Sequence, residues 1–476
     1  MKKRMTSLLL VLLMVLTLLP ATAWADDAVT IVDSGTCGKN GDNLTWTFDS
    51  NYVLTISGQG EMADYEGWGT SEAPWKKYED VWVKTSEGIK NHSAKELYIG
   101  DGVTYVGNNA FDGMSYIEKV RLPETLTGVG EWAFYHVGVT ELPSGLVNIG
   151  MHAFHGCDFV ELVIPQGITD IPVAFDNCDK LKRIVFHDNV KSIAGDAFSG
   201  CDALETMVIP EGVETIGSRA FYACKGLREV TIADSVTDVG TEAFHCCSAL
   251  NTMRIGKNAQ FQVRDDNGRY AIFGGGALTT IEVDPENPYY TAYENALFSK
   301  DMTTLLQFPD GRSGAYTIPN TVKTVGQRAF WCAPLITSVV IPEGVEELEE
   351  CAFADCLKLE TVYWPRSLKT IDVSFAGCDA LSDIYYAGSE EEWDALGLGG
   401  FELVTIHFGV ELPLEPGNVN GQGGIDATDV QCLMDYLLGM RELTENQLKA
   451  ADFNQDGVVD VYDLQALYEY VAYHSN

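Results

Sequence analysis

The chain has 476 residues, enough for several domains or one extended array. Its 69 acidic residues against 31 basic ones leave a net charge of −38. So acidic a surface argues against nucleic acid, whose phosphates need cations, and against anionic membranes; its plain consequence is solubility and mutual repulsion.

The first 25 residues read as an export signal. Lys2, Lys3 and Arg4 form a basic start, Leu8 to Leu19 an apolar run, and Ala23-Trp24-Ala25 a small-x-small cleavage site before Asp26. The run is short for a bilayer span and no other stretch is apolar enough, so no membrane insertion is expected. Cysteine is absent from the cleavage point and a Leu-Pro-x-Thr-Gly motif from the far end, so the expected product is secreted and unanchored. Residues 26–90 read as an N-terminal β cap. Leu44 to Phe48 and Tyr52 to Ile56 alternate as two strands around a turn at Asp49-Ser50-Asn51.

Residues 91–409 are a repeat. The tag is Ala-Phe, often with Cys three residues after Phe, and from Phe175 to Phe244 it recurs every 23 residues. Between tags runs Leu204-x-x-Met207-x-Ile209-Pro210, then Val213-x-x-Ile216-Gly217, and the next unit repeats it from Leu227 to Cys247. This is the strand signature of a leucine-rich repeat at a period within that class. A single coil leaves its apolar edge open, whereas stacked coils bury it, each strand pairing parallel to the last. Pro123, Pro165, Pro210, Pro342 and Pro365 recur inside units and exclude a helical repeat. Coils at about 256–328 are irregular, with a turn at Gly274-Gly275-Gly276 and a hairpin from Ala296-Leu297-Phe298 to Thr304-Leu305-Leu306. The A-F-x-x-C tag with the I-P-x-x-V-x-x-I-G run resembles the bacterial surface leucine-rich repeat family. The expected fold is therefore a mostly β solenoid of parallel strands.

Cys157, Cys178, Cys201, Cys224, Cys247, Cys356 and Cys378 all stand at Phe plus three. A column repeating once per coil is a small core position, and parallel side chains on neighbouring coils make a disulfide strained, so buried thiols are expected. C-x-x-C is absent and zinc is not expected. His152 and His155 are three apart, but no third ligand recurs beside them in the sequence, so they read as polar residues on an outer turn.

After a linker at 410–417, residues 418–476 carry two calcium-type loops. The second runs from Asp452 to Asp463. Asp452, Asn454, Asp456, Asp460 and Asp463 offer side-chain oxygens, Val458 a backbone carbonyl, and Gly457 the sharp turn. The first copy offers Asn418, Asn420, Gln422, Asp426 and Asp429, with the Gly424 carbonyl. The position-12 aspartates, Asp429 and Asp463, stand 34 residues apart. Four carboxylates against two predict a stronger second site, because ligand charge tunes Ca2+ affinity. Each loop leads into a helical stripe, Val430, Leu433 and Leu437, then Leu464, Leu467 and Val471, with a connecting helix around Leu443, Leu448 and Ala450. From Gly417 to about Tyr473 the pattern resembles a type I dockerin, a small α-helical calcium-binding domain. That resemblance implies a cohesin domain of a scaffoldin as partner. It places recognition on Ala427, Thr428, Val461 and Tyr462, with Met434, Asp435, Tyr468 and Glu469 on the helices beside them. The two halves differ in size and polarity, which argues against two equivalent binding modes.

Catalytic motifs such as G-x-S-x-G and H-E-x-x-H are absent, and carboxylate pairs carry little information in so acidic a chain. The last outward position of each repeat strand reads Tyr98, Arg121, Val163, Val185, Val208, Thr231, Arg254, then Val340, Tyr363 and Tyr385. Tyr363 and Tyr385 are candidate ligand-binding residues, able to stack on a polysaccharide or anchor a protein. The expected function is a secreted, non-catalytic binding or adhesion component of a cellulosome-like complex, surface-associated through its dockerin. The alternative is a dockerin-bearing polysaccharide hydrolase with an unrecognised active site in the repeats.

Overall fold

The computed structural model describes residues 29–67, 71–86, 88–262, 277–371, 375–398, 401 and 403–474. The export signal and Gly274-Gly275-Gly276 fall outside these residues. Each repeat unit makes one coil, and the coils supply a row of longer and a row of shorter parallel strands, each row divided among several sheets. Thr206–Ile209 pairs in parallel with Glu229–Ile232, which pairs with Thr252–Ile255 and then Thr280–Val283. The shorter strand Thr215–Ile216 lies between Ser192–Ile193 and Asp238–Val239. Parallel strands need a long crossover, and the remainder of each coil supplies it. Side chains alternate as the strand period requires, with Met207 and Ile209 buried and Thr206 and Val208 exposed.

The repeated phenylalanine lies inside the coil and stacks on its copies. Successive ring centroids from Phe111 to Phe244 are 5.4, 5.6, 5.7, 5.7, 5.5 and 5.3 Å apart. A second ladder runs from Phe308 through Phe330 and Phe353 to Phe375. None of the column cysteines is cross-linked. Each thiol instead donates to the carbonyl of the preceding coil's phenylalanine, at 3.0 to 3.4 Å, from Cys157 on Phe134 to Cys378 on Phe353. A small side chain with one donor fits a buried position facing a carbonyl. Glycine follows Ile216 because the backbones of adjacent coils meet there: a Cβ on Gly217 would stand 2.3 Å from the Gly195 nitrogen.

Two residues before the phenylalanine the chain turns left-handed, with φ of 56° at Trp132, 54° at His152, 54° at Asp196 and 59° at Arg219. The turned N–H donates into the next coil, as from Arg219 to the Thr241 carbonyl at 3.0 Å, which offsets the local strain. This position is fixed by its backbone bond, so its side chain can vary.

The cap contains the expected hairpin, Gly41–Asp49 with Val53–Gly58, and a further strand, Ile31–Gly38. Its last strand continues into the array by pairing in parallel with Glu96–Ile99. Trp75 stacks on Phe111 at 5.2 Å and its indole N–H donates to the Ala110 carbonyl at 2.7 Å, so it starts the ring ladder. Near 290–307 three antiparallel strands, Tyr290–Tyr293, Ala296–Ser299 and Thr304–Gln307, interrupt the coils. The third re-enters the short-strand sheet against Thr324–Val325. At the far end helix α1, Glu390–Ala395, is closed by a reciprocal Ser389–Glu392 cap and buries Trp393 against Trp364.

Three helices follow: α2 (Ala427–Leu437), α3 (Glu445–Ala451) and α4 (Val461–His474). They enclose a small core of Val419, Cys432, Leu433, Ala451, Leu467 and Val471. The stretch at 410–417 lies against its surroundings, with Leu412 and Glu415 buried. Among the described residues no helix is long and apolar enough to cross a membrane.

Candidate functional site

The two acidic loops fold alike. Positions 4 and 6 are left-handed in both, with φ of 71° at Gly421 and 65° at Gly423, then 60° at Gln455 and 87° at Gly457. The position-12 carboxylates are buried, and each accepts two backbone N–H groups. Asp429 takes Asn420 and Asp426 at 2.9 Å each; Asp463 takes Asn454 at 3.0 Å and Asp460 at 2.8 Å. Asn420 Oδ1 accepts from the Gln422 amide at 2.6 Å, and Asn454 Oδ1 from the Asp456 amide at 2.9 Å. Asp426 and Asp460 accept from the Thr428 and Tyr462 amides, at 2.7 and 2.8 Å. In the first loop Asp426 caps α2, and Asp429 completes the capping box. Loop geometry and helix start therefore depend on the same carboxylates.

The donor set suits a hard cation. Buried carboxylates that meet only amide donors are costly without a counter-charge. Burial raises the Asp429 carboxyl above its ordinary range, against the opposing effect of the amides. Asn418 Oδ1 is buried and meets no donor among the described residues, while its Nδ2 donates to the Gly423 carbonyl at 2.8 Å. In the second loop Asp452 replaces that amide and accepts from Asp456 at 3.1 Å and Gly457 at 2.9 Å. Oxygens from alternating residues, with none of the soft ligands of a zinc site, are what Ca2+ takes.

Of the residues expected to meet a partner, Val461, Tyr462 and Tyr468 are 62%, 67% and 62% exposed. Glu469 accepts from Gln465 at 2.9 Å, and Asp435 from Gln431 at 2.6 Å, so both helices carry the same brace. Ala427 and Thr428 are exposed, while Met434 and Asp435 are half-buried. The Thr428 hydroxyl is occupied within its own loop, donating to Asp426 and accepting from Asn420, each at 2.6 Å. The second half thus presents the larger apolar surface.

The first loop faces the array. A Cβ on Gly424 would stand 3.0 Å from the Thr321 methyl. Tyr293 Oη donates to Glu415 Oε1 at 2.9 Å, and burial pushes the Glu415 carboxyl up to about 7. Asn446 of α3 donates to the Leu412 carbonyl at 3.2 Å.

On the outward face of the array Tyr363, Tyr385 and His407 lie in register on successive strands. Their rings stack at 4.9 and 4.4 Å, and His407 Nε2 lies 2.8 Å from Asp383 Oδ1. His407 escaped the sequence reading because its strand, Thr405–Phe408, belongs to a coil without the phenylalanine tag. Upstream, Val163 and Val208 stand 55% and 64% exposed, and Arg254 bridges Glu229 and Glu282. The reading of His152 and His155 changes as well: Asp176 from the next coil lies between them.

The family model described as BspA type leucine rich repeat region matches in six copies over residues 86–171, 137–251 and 313–408. The dockerin type I domain matches residues 416–472. No curated protein matches. Among solved structures, a leucine-rich repeat protein from Bacteroides ovatus is 18% identical, covering 78% of this chain and 99% of that one, with a TM-score of 0.49. A leucine rich cell surface protein from Faecalibacterium prausnitzii is 22% identical, covering 77% of this chain and 98% of that one, with a TM-score of 0.41. Type I dockerins bind calcium and engage cohesins, and the repeated coils with their phenylalanine and cysteine columns account for the other match. The chain belongs to the BspA-type leucine-rich repeat family and carries a C-terminal type I dockerin domain.

Proposed function

We propose that this chain is a secreted, non-catalytic binding component that plugs through its calcium-loaded dockerin into a cohesin of a scaffoldin and holds out its repeat array as a ligand surface. The observation that carries the reading is the matched pair of loops, each with a buried position-12 aspartate fastened to the start of its helix. Asp452, Asn454, Asp456, Asp460 and Asp463, with the Val458 carbonyl, would hold the tighter ion. Asn418, Asn420, Gln422, Asp426 and Asp429, with the Gly424 carbonyl, would hold the weaker one. Val461, Tyr462, Tyr468 and Glu469 make the principal cohesin contact, since the first three form the exposed apolar face of α4 beside the stronger site and Glu469 adjoins it. Ala427, Thr428, Met434 and Asp435 are the lesser one. On the array, the ladder of Tyr363, Tyr385 and His407 offers a flat aromatic edge of the kind that stacks on sugar rings or packs against a protein.

The test is capture of the full chain on immobilised cohesins of several specificities, with calcium and with a chelator. Retention by at least one cohesin, released by chelation, supports the reading. Indifference to the chelator, or no retention on any cohesin in calcium, overturns it. Release of reducing ends from cell-wall polysaccharide by the same preparation would overturn the non-catalytic part.

A further inference from the structure

We propose that His152, His155 and Asp176 form a binding site for a transition-metal ion of the zinc class on the flank of the array, separate from the calcium loops. The two imidazoles address the two oxygens of one carboxylate, His152 Nδ1 at 2.9 Å from Oδ1 and His155 Nδ1 at 2.5 Å from Oδ2. All three ligating atoms lie within 4.8 Å of one another. Asp176 is 6% exposed. The rings are held in place, Trp132 stacking on His152 at 4.2 Å and Tyr135 on His155 at 4.4 Å. Nitrogen and carboxylate donors converging from rigid neighbours are what zinc prefers, and three protein ligands leave one position for water. A cleft of about 450 Å³ opens beside His155, lined by His136, Asp158, Asp179 and Lys180 among others.

The site breaks the repeat. Column positions one residue after the phenylalanine read Tyr135, His155, Asp176, Ser199, Tyr222 and His245. The position two residues before it reads Trp132, His152, Val173, Asp196, Arg219 and Glu242. Among the described residues, three such ligands meet only where His155 and Asp176 follow each other, with His152 beside them. In an array whose core columns are nearly invariant, a unique polar convergence is not needed to stack coils, since the ladders of phenylalanine and cysteine already do that.

Ligation uses a bare Nδ1. A neutral imidazole supplies it by carrying its proton on Nε2, so the ion takes the place that the N–H protons occupy in the hydrogen-bonded trio. Donors around a tetrahedral ion at ~2.1 Å lie roughly 3.4 Å apart, so a trio whose donor atoms already lie within 4.8 Å of one another reaches that spacing through small side-chain rotations. Ion and carboxylate together leave one positive charge, welcome on a chain of net charge −38.

The experiment titrates the full chain with zinc in saturating calcium, by calorimetry, beside His155→Gln and Asp176→Asn. His152→Gln, on the outer turn, serves as the variant least able to disturb folding, and circular dichroism checks all three. One saturable equivalent in the wild type, weakened at least about tenfold in His152→Gln and His155→Gln with unchanged folds, is expected. Cobalt in place of zinc should give visible bands without thiolate charge transfer. Absence of a saturable equivalent, equal affinity in wild type and His variants, or a thiolate band pointing to a cysteine ligand, overturns the proposal.

Discussion

Phe221 lies between Phe198 and Phe244, its ring tilted 14° from one and 2° from the other. Truncating it removes contacts on both faces at once and leaves a void between sheets that cannot close without moving two coils. Phe221→Ala should therefore cost about 3–5 kcal/mol, measured by denaturant unfolding. The array is held by nearest-neighbour stacking, so the damage should show first as faster amide exchange in the coils around Phe198 and Phe244. The column thiols make a second residue-scale case. Burial raises the Cys178 and Cys201 thiols well above their ordinary range, and a protonated, enclosed thiol is a poor nucleophile. A thiol reagent under native conditions should label the partly exposed Cys246, Cys332 and Cys351 first, and the column only after unfolding. Rapid labelling of Cys201 or Cys224 in the native chain would mean that the coils open far more readily than their packing implies.

At the scale of elements, the acidic loops were legible because their oxygen-bearing side chains all fall within one short window, where spacing alone sets which of them face the same turn. The array was legible for another reason: repetition lines up its columns, so Phe and Cys identify the inward face without any structure. What could not be read is whatever crosses between coils. Asp176 is a full coil away from His155 in sequence, and nothing local pairs them; only laying the Phe-plus-one column out as a line would have set Tyr135, His155 and Asp176 side by side. His407 was hidden because the last coil lacks the tag that sets the register. The two loops also test how charge sets affinity. Asp452→Asn keeps one of the two oxygens that accept from the Asp456 and Gly457 amides and removes one carboxylate, so a calorimetric calcium titration should show the tighter event weakened roughly ten- to a hundredfold and the other unmoved. The reciprocal change, Asn420→Asp, adds a carboxylate to the poorer loop and should tighten it. If the wild type gives two equal events, charge count does not rank these sites.

At the scale of the whole molecule, the cores are separate. One apolar cluster runs from the cap to Leu306, a second from Ala296 to Trp393, and the third lies among α2, α3 and α4. The first two meet at the inserted strands, where one element carries residues of both: Ala296 and Phe298 belong to the second cluster, Leu297 to the first. The third meets the array at the Tyr293–Glu415 hydrogen bond, at a contact of Tyr470 of α4 with the same Tyr293 hydroxyl, and where Gly424 approaches Thr321. An ion held by the folded dockerin and not by its unfolded chain would add about 2.7 kcal/mol per occupied site when it stands at a hundred times its dissociation constant. That stabilisation would enter through the third cluster, because the proposed ligands of both loops all lie between Asn418 and Asp463 and none comes from the array. Scanning calorimetry of the full chain in calcium should thus show the helical tail and the solenoid melting separately, and a chelator should lower the tail's transition while leaving the array's in place. Far-ultraviolet circular dichroism in the chelator should lose helix and keep strand, and cohesin capture should vanish while the array stays folded. A single transition that moves as a whole on chelation would show that the Tyr293–Glu415 junction couples the two parts strongly. The array would then not be a passive platform for the ligand it presents, because its stability would answer to the calcium that closes the tether.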